Sequence, residues 1–192
     1  MSGLFEQYDN LLPSEFEEKT DESLQWFRKN LRNIRVKQED ILRSQGNTAL
    51  PSDMRTGEMF MYMYDAKYKN VLPYYDKFPV MILIEKSFTG CIGLNLHYIA
   101  PRFRAKFLEE LYKLSDDEEL EEGARFNLTY ELLMKITELK HGKPCVKKYL
   151  WTHIESRIVR ILPEHWDVVS MLPLQQFNVN SNTVYADSKG KF

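Results

Sequence analysis

"MFMYMYD", residues 59–65, alternates a thioether with an aromatic and ends in an acid. As a strand it sends Met59, Met61 and Met63 to one side and Phe60, Tyr62 and Tyr64 to the other. Both sides are apolar, so both need cover. The pattern predicts a small, strongly curved sheet with one face turned into the interior of the curl and the other under helices. Methionine fills irregular gaps in such a core, and any aromatic left uncovered becomes contact surface. Either way the stretch speaks for packing and not for catalysis.

Two more strands follow from composition and punctuation: "FPVMILIE" at 78–85 and "GCIGLNLHYI" at 90–99, joined by the short turn "KSFTG" into a hairpin to which 58–65 adds. The glycines of "GCIG" suit a turn and a close backbone approach, not a phosphate cradle. Between the first two strands, "KYKNVLPYYDK" at 67–77 reads as an exposed loop rich in tyrosine and lysine, stiffened by Pro73.

Upstream, "SQGNTALPSD" at 44–53 should end a helix. Leu24, Phe27, Leu31, Ile34, Gln38 and Ile41 recur at spacings of three and four, which predicts a long helix from Thr20 or Asp21 to Ser44. Downstream, helices are expected at 102–114 after Pro101, at 128–140 and at 144–156. "RIVRIL" at 157–162 has a strand pattern, 163–177 mixes a turn with a short element, and the polar residues from Asn178 should be extended. The expected fold is α+β: a small curved antiparallel sheet or partly open β-barrel flanked by helices, with a long N-terminal helix and extended termini. It divides into an acidic arm (1–23), an amphipathic helix and linker (24–53), an α+β core (54–177) and a C-terminal tail (178–192).

The 192 residues suit one domain with a real core, and the net charge of −2 excludes a global field that would draw in nucleic acid. Charge therefore has to be read locally. Residues 1–23 hold seven acids and one lysine, whereas 24–44 hold six basic residues and two acids, with Arg28, Arg32 and Arg35 on the side of the helix opposite its apolar seam. A second basic stretch, 140–160, has six Lys or Arg and one acid: Lys140, Lys143, Lys147, Lys148, Arg157 and Arg160, interleaved with Tyr149, Trp151 and His153. Cations beside aromatics suit phosphate contact and base stacking. They equally suit an element that tucks its aromatics into a core while its lysines snorkel outward.

Signals for other chemistry are weak. The four histidines lie in no metal-ligand spacing, and His97, among apolar strand residues, reads as a satisfied core histidine. No nucleophile elbow, P-loop or zinc-protease helix occurs. Asp116, Asp117, Glu118 and Glu119 form one solvated charge run, not two carboxylates in unlike environments. Cys91 and Cys145 read as reduced, mostly buried thiols. The sequence lacks an apolar run long enough to span a bilayer and a secretory N-terminus. No cofactor, metal, membrane or small-molecule substrate is expected.

Three blocks taken together carry a resemblance: "GEMFMYMYDAKYKNVLPYYDKFPVMILIE", "GCIGLNLHYIAPRFRAKFLEELY" and "KPCVKKYLWTHIESRIVRILPEHWDVVSMLPLQQF". Over residues 57–177 the chain resembles a family of virion-associated or morphogenesis proteins of large contractile-tailed bacteriophages, whose members are described as structural or as guarding packaged DNA ends. The resemblance brings no catalytic residues. It implies that Tyr64, Asp65, Pro73, Tyr74, Tyr75, Asp76, Asn95, His97, Tyr98 and Trp166 matter for partner binding. The leading expectation is a non-enzymatic component of the head-neck, tail or baseplate, docked to neighbouring virion proteins in a symmetric assembly and assembled in the host cytoplasm. The alternative is a protein that binds double-stranded DNA ends through the two basic clusters. A third is a small-barrel nuclease using Asp65, Asp76 and His97, suggested by the glycine-led strand that ends in an acid.

Overall fold

The structure, a computed structural model, describes residues 37–100, 104, 107–108, 130–138 and 142–190. Six strands make one antiparallel sheet: β1 Thr48–Ala49, β2 Met59–Met61, β3 Val80–Lys86, β4 Gly90–Asn95, β5 Val146–Leu150 and β6 Ile158–Ile161, in the order β1-β6-β2-β3-β4-β5. The described helices are α1 Gln38–Ser44, α2 Tyr130–Glu138, α3 Trp166–Met171 and α4 Ser181–Gly190. The fold is α+β, as expected, but among the described residues the sheet is open: β1 and β5 are its edges, so these strands close no barrel.

Two local features bend the sheet. The β3–β4 register shifts between Leu83 and Glu85, a bulge that adds twist. At Gly90 a Cβ would stand 1.9 Å from the carbonyl oxygen of Tyr149, so only glycine lets β5 lie this close. The curl is large enough that Tyr149 of β5 meets Tyr62 and Tyr64 beyond the end of β2, with ring centroids 5.7 and 5.0 Å apart, although β3 and β4 separate these strands.

The alternation of "MFMYMYD" now has its explanation. Met59 and Met61 join Val80, Ile82, Leu94 and Val159 in the larger core, under Ile41 of α1, Leu133 of α2, Val169 of α3 and Val184 of α4. Phe60, Tyr62 and Tyr64 join Met81, Leu83, Cys91 and Tyr149 in a second cluster inside the curl. Phe60, Tyr62, Met59 and Met61 are fully buried, and each such side chain contributes roughly 1.5–3 kcal/mol. Both cysteines are buried thiols outside any disulfide, as expected.

Several expectations are corrected. The part of the long N-terminal helix before residue 37 lies outside the described residues. Lys37 itself is extended (φ −89°, ψ 121°) and caps a separate seven-residue helix, so no continuous helix runs into Ser44. Strand pairing of 58–65 is confined to Met59–Met61, followed by an isolated bridge from Tyr64 to Ile154. The segment expected as a helix at 144–156 is β5 between two 3-10 turns, because Val146 to Leu150 pair along β4. The tail expected to be extended forms α4, anchored by the fully buried Val184. Of the helix expected at 102–114, Arg104, Phe107 and Leu108 are described and helical. The helix at 128–140 and the strand at 157–162 appear as α2 and β6, and the turn with a short element of unstated type at 163–177 is a 3-10 turn leading into the helix α3.

A candidate nucleic-acid interface

The tyrosine-rich loop is tied down at both ends. Its N-terminal side follows Tyr64, whose N–H donates to the Lys77 carbonyl at 2.9 Å. Its C-terminal side lies against residues 176–178: the Tyr75 N–H donates to Asn178 Oδ1 (2.9 Å), Asp76 bridges Phe177, and the Lys77 N–H donates to the Gln176 carbonyl (2.8 Å). Between these anchors, the N–H groups of Val71 and Leu72 both donate to the Tyr68 carbonyl. That turn leaves Tyr68 60%, Val71 80% and Leu72 42% exposed.

Beneath the loop lies a polar network. Asp76 is buried and its Oδ2 meets His97 Nδ1 at 2.6 Å and the Asn95 amide at 3.1 Å, while its Oδ1 accepts from the N–H groups of Phe78 and Gln176, each at 3.0 Å. Burial alone would raise this carboxyl, yet His97 and the other donors hold it below the usual range. Burial pushes the His97 imidazole down, against the pull of Asp76. We therefore assign an ionised Asp76 accepting from a neutral Nδ1–H tautomer. Asn95 also donates to the Tyr149 hydroxyl (3.0 Å), and its Oδ1 accepts from the His97 N–H (2.9 Å). Fully buried Arg104 holds the surrounding carbonyls of Ile99 and Ser170 at 2.8 and 3.2 Å.

This scaffold supports a cleft of about 450 Å³ between the loop and β5. Tyr64, Tyr68, Leu72, Tyr74, Tyr98 and Tyr149 form its apolar walls. Lys67, Lys147 and Lys148 supply positive charge. The β5 register sets Lys147 and Tyr149 on the concave face opposite Gly93 and Cys91, with Lys148 opposite Ile92 on the other. The Lys147 ammonium rests 4.0 Å from the centre of the Tyr98 ring, a cation–π contact. Tyr98 in turn meets Tyr74 and Phe177, at 6.2 and 5.2 Å between centroids. Burial pushes the Tyr98 and Tyr74 hydroxyls up, so both stay protonated at neutral pH.

The two motifs read separately in the sequence thus meet. Tyr64, Tyr74, Tyr75, Asp76 and Tyr98 of the resemblance set line the same cleft as Lys147 and Lys148 of the basic set. Pro73 is exposed in the loop. Asn95 and His97 are fully buried and position the cleft from below, and Trp166 is buried and donates to the Ile161 carbonyl (3.1 Å). The second basic stretch does not form one surface. Lys143 and Arg157 are exposed, Arg157 donates to the Gln45 carbonyl, and Arg160 on β6, with three strands between it and β5, pairs with Glu58 at 3.2 Å. Arg28, Arg32, Arg35 and Lys140 lie outside the described residues. Lys67, Tyr68 and Leu72 were not singled out in the sequence, where only the tyrosine and lysine content of 67–77 marks them.

The three nuclease candidates fall into two networks. Asp65 accepts from Lys69 (2.7 Å) and from the Tyr75 hydroxyl (3.1 Å), with its carboxyl lowered chiefly by the Lys69 bond, whereas Asp76 is committed to His97. Among the described residues, no group of three or more His, Cys, Asp or Glu is arranged to hold a metal ion, and no helix is long and apolar enough to cross a membrane.

The family model described as phage T4 terminal DNA protecting protein matches residues 11–189. Neither a curated protein nor a solved structure matches the chain.

Proposed function

From the premise that this chain belongs to the phage T4 terminal DNA protecting protein family, we propose that it binds the ends of linear double-stranded phage DNA and shields them by occupancy, without turning over a substrate. The observation that carries the reading is the cleft in which a tyrosine wall and Lys67, Lys147 and Lys148 come together. In a chain of net charge −2 this local pairing of cations with aromatic surface supports contact with phosphates and bases. The family match favours end binding over the structural-component reading that leads on sequence grounds. Neither the match nor the described residues support a place in the neck, tail or baseplate.

The test is fluorescence anisotropy of a labelled blunt-ended duplex with purified protein, using hairpin-capped duplex of equal length as competitor. End binding predicts that the capped duplex competes at least tenfold more weakly. Equal competition would reduce the protein to a general DNA binder, and no binding at low salt would return the cleft to protein contacts.

A further inference from the structure

Of the seven large apolar side chains exposed among the described residues, three stand on one turn of the tyrosine loop: Tyr68, Val71 and Leu72. Exposed apolar residues scattered singly are ordinary, whereas a cluster marks a contact surface. Tyr68 and Leu72 carry the apolar wall of the cleft outward, and Val71, the most exposed of the three, is not among the residues that line it. We propose that this tip stacks on the outer face of the terminal base pair of a duplex and is what distinguishes an end from the interior. The inference rests on the end-binding reading above.

The partner follows from what a duplex exposes. Along its length DNA presents phosphates, sugars and base edges, and the flat face of a base pair is covered by its neighbours everywhere except at an end. A terminal pair is therefore the one place where a duplex offers an apolar plane, and a few side chains suffice to cover it. A protein partner fits less well, since a stable interface takes about 20–30 residues a side, far more than one turn supplies. Charge agrees: residues 66–75 hold Lys67 and Lys69 and no acid. Lys69 is bonded to Asp65 at 2.7 Å, which leaves Lys67 as the cation of the tip, its ammonium 5.4 Å from the centre of the Tyr68 ring. That ammonium suits the phosphates bordering a terminal pair. The tip is also set in advance. The N–H groups of Val71 and Leu72 both donate to the Tyr68 carbonyl at 2.9 Å, the Lys69 N–H donates to the Ala66 carbonyl at 3.1 Å, and Pro73 follows. Asp65 ties the base of the loop together through Lys69 and the Tyr75 hydroxyl. An apolar surface held in place before binding loses little conformational entropy on stacking.

The test titrates the full chain into labelled blunt and hairpin-capped duplexes of equal length and compares the two Kd values for wild type, for Tyr68→Ser with Val71→Ser, and for Tyr68→Trp. Both residues are exposed, so the polar pair leaves the core intact. Wild type and Tyr68→Trp should bind the blunt duplex about tenfold or more tightly than the capped one. The double variant should bring the two together by weakening the blunt duplex alone. A preference that persists in the double variant, or an equal loss on both duplexes, overturns the stacking role and leaves end binding standing. Loss of the preference in Tyr68→Trp, which keeps a stacking plane, overturns it too. Equal affinity of wild type for capped and blunt duplexes overturns both readings. Self-association that wild type shows with rising concentration and the double variant lacks assigns the tip to a second copy of the chain and overturns the inference.

Discussion

His97 shows how a residue can matter to a site without touching its ligand. It is fully buried, faces Asp76 and Arg104, and burial keeps it neutral below its ordinary pKa of 6.5. In the unfolded chain it takes up a proton as pH falls through about 6.5, while in the folded chain it does not. The unfolded state then binds more protons, so stability is complete above that value and is lost as pH falls toward the folded one. The urea midpoint should therefore drop between about pH 6.5 and 5, ahead of any loss from Asp76. The folded pKa of Asp76 is depressed, so its contribution fades only below the ordinary carboxylate range. In His97→Gln the drop between pH 6.5 and 5 should shrink; an identical drop would place its origin in other histidines. The sequence pointed to a satisfied core histidine at 97, but not to its partner, because Asp76 is 21 residues away across a loop and a hairpin.

At the scale of elements, strands inside the sheet were legible, β2 from its period-two alternation and β3 and β4 from composition and punctuation. β2, β3, β4 and β6 all fall within their expected segments, apart from one residue at the end of β3. β5 was not legible, since a strand with β4 as its one neighbour among the described residues can carry "VKKYL", whose apolar residues also fit a helical spacing. α4 was missed because one fully buried side chain, Val184, anchors it in a polar run. A signal was present, however: the Asn180 side chain accepts from the Asn182 N–H at 2.9 Å, a capping pattern readable from "NSN". The glycines of the hairpin allow a direct check on the curl. Gly90→Ala drives a Cβ into the Tyr149 backbone and should cost about 1–3 kcal/mol. Gly46→Ala meets nothing within 4 Å and should be close to neutral. Equal midpoints for the two variants in chemical denaturation would mean that β5 does not pack against Gly90 as described.

For the whole molecule, the sequence shows a balanced charge and two separated motifs, and only the curl of the sheet brings the tyrosine loop onto Lys147. Lys67 and Lys147, the cleft lysines not turned to the other face of the sheet, set the electrostatic scale of binding. If each meets one phosphate, log affinity should fall with log salt at a slope of about −2, and Lys147→Gln should lower the magnitude by about 1. An unchanged slope in that variant would assign the phosphate contacts to another surface. The most direct test of end protection is digestion of linear duplex DNA, with protein present, by an exonuclease that loads at ends and separately by an endonuclease that cuts at an internal site. The account predicts that the exonuclease is blocked at one protein per end while the internal site is cut at its usual rate, and that Lys67→Glu with Lys147→Glu restores exonuclease digestion. Equal slowing of both enzymes, or no slowing of the exonuclease at saturating protein, would contradict it.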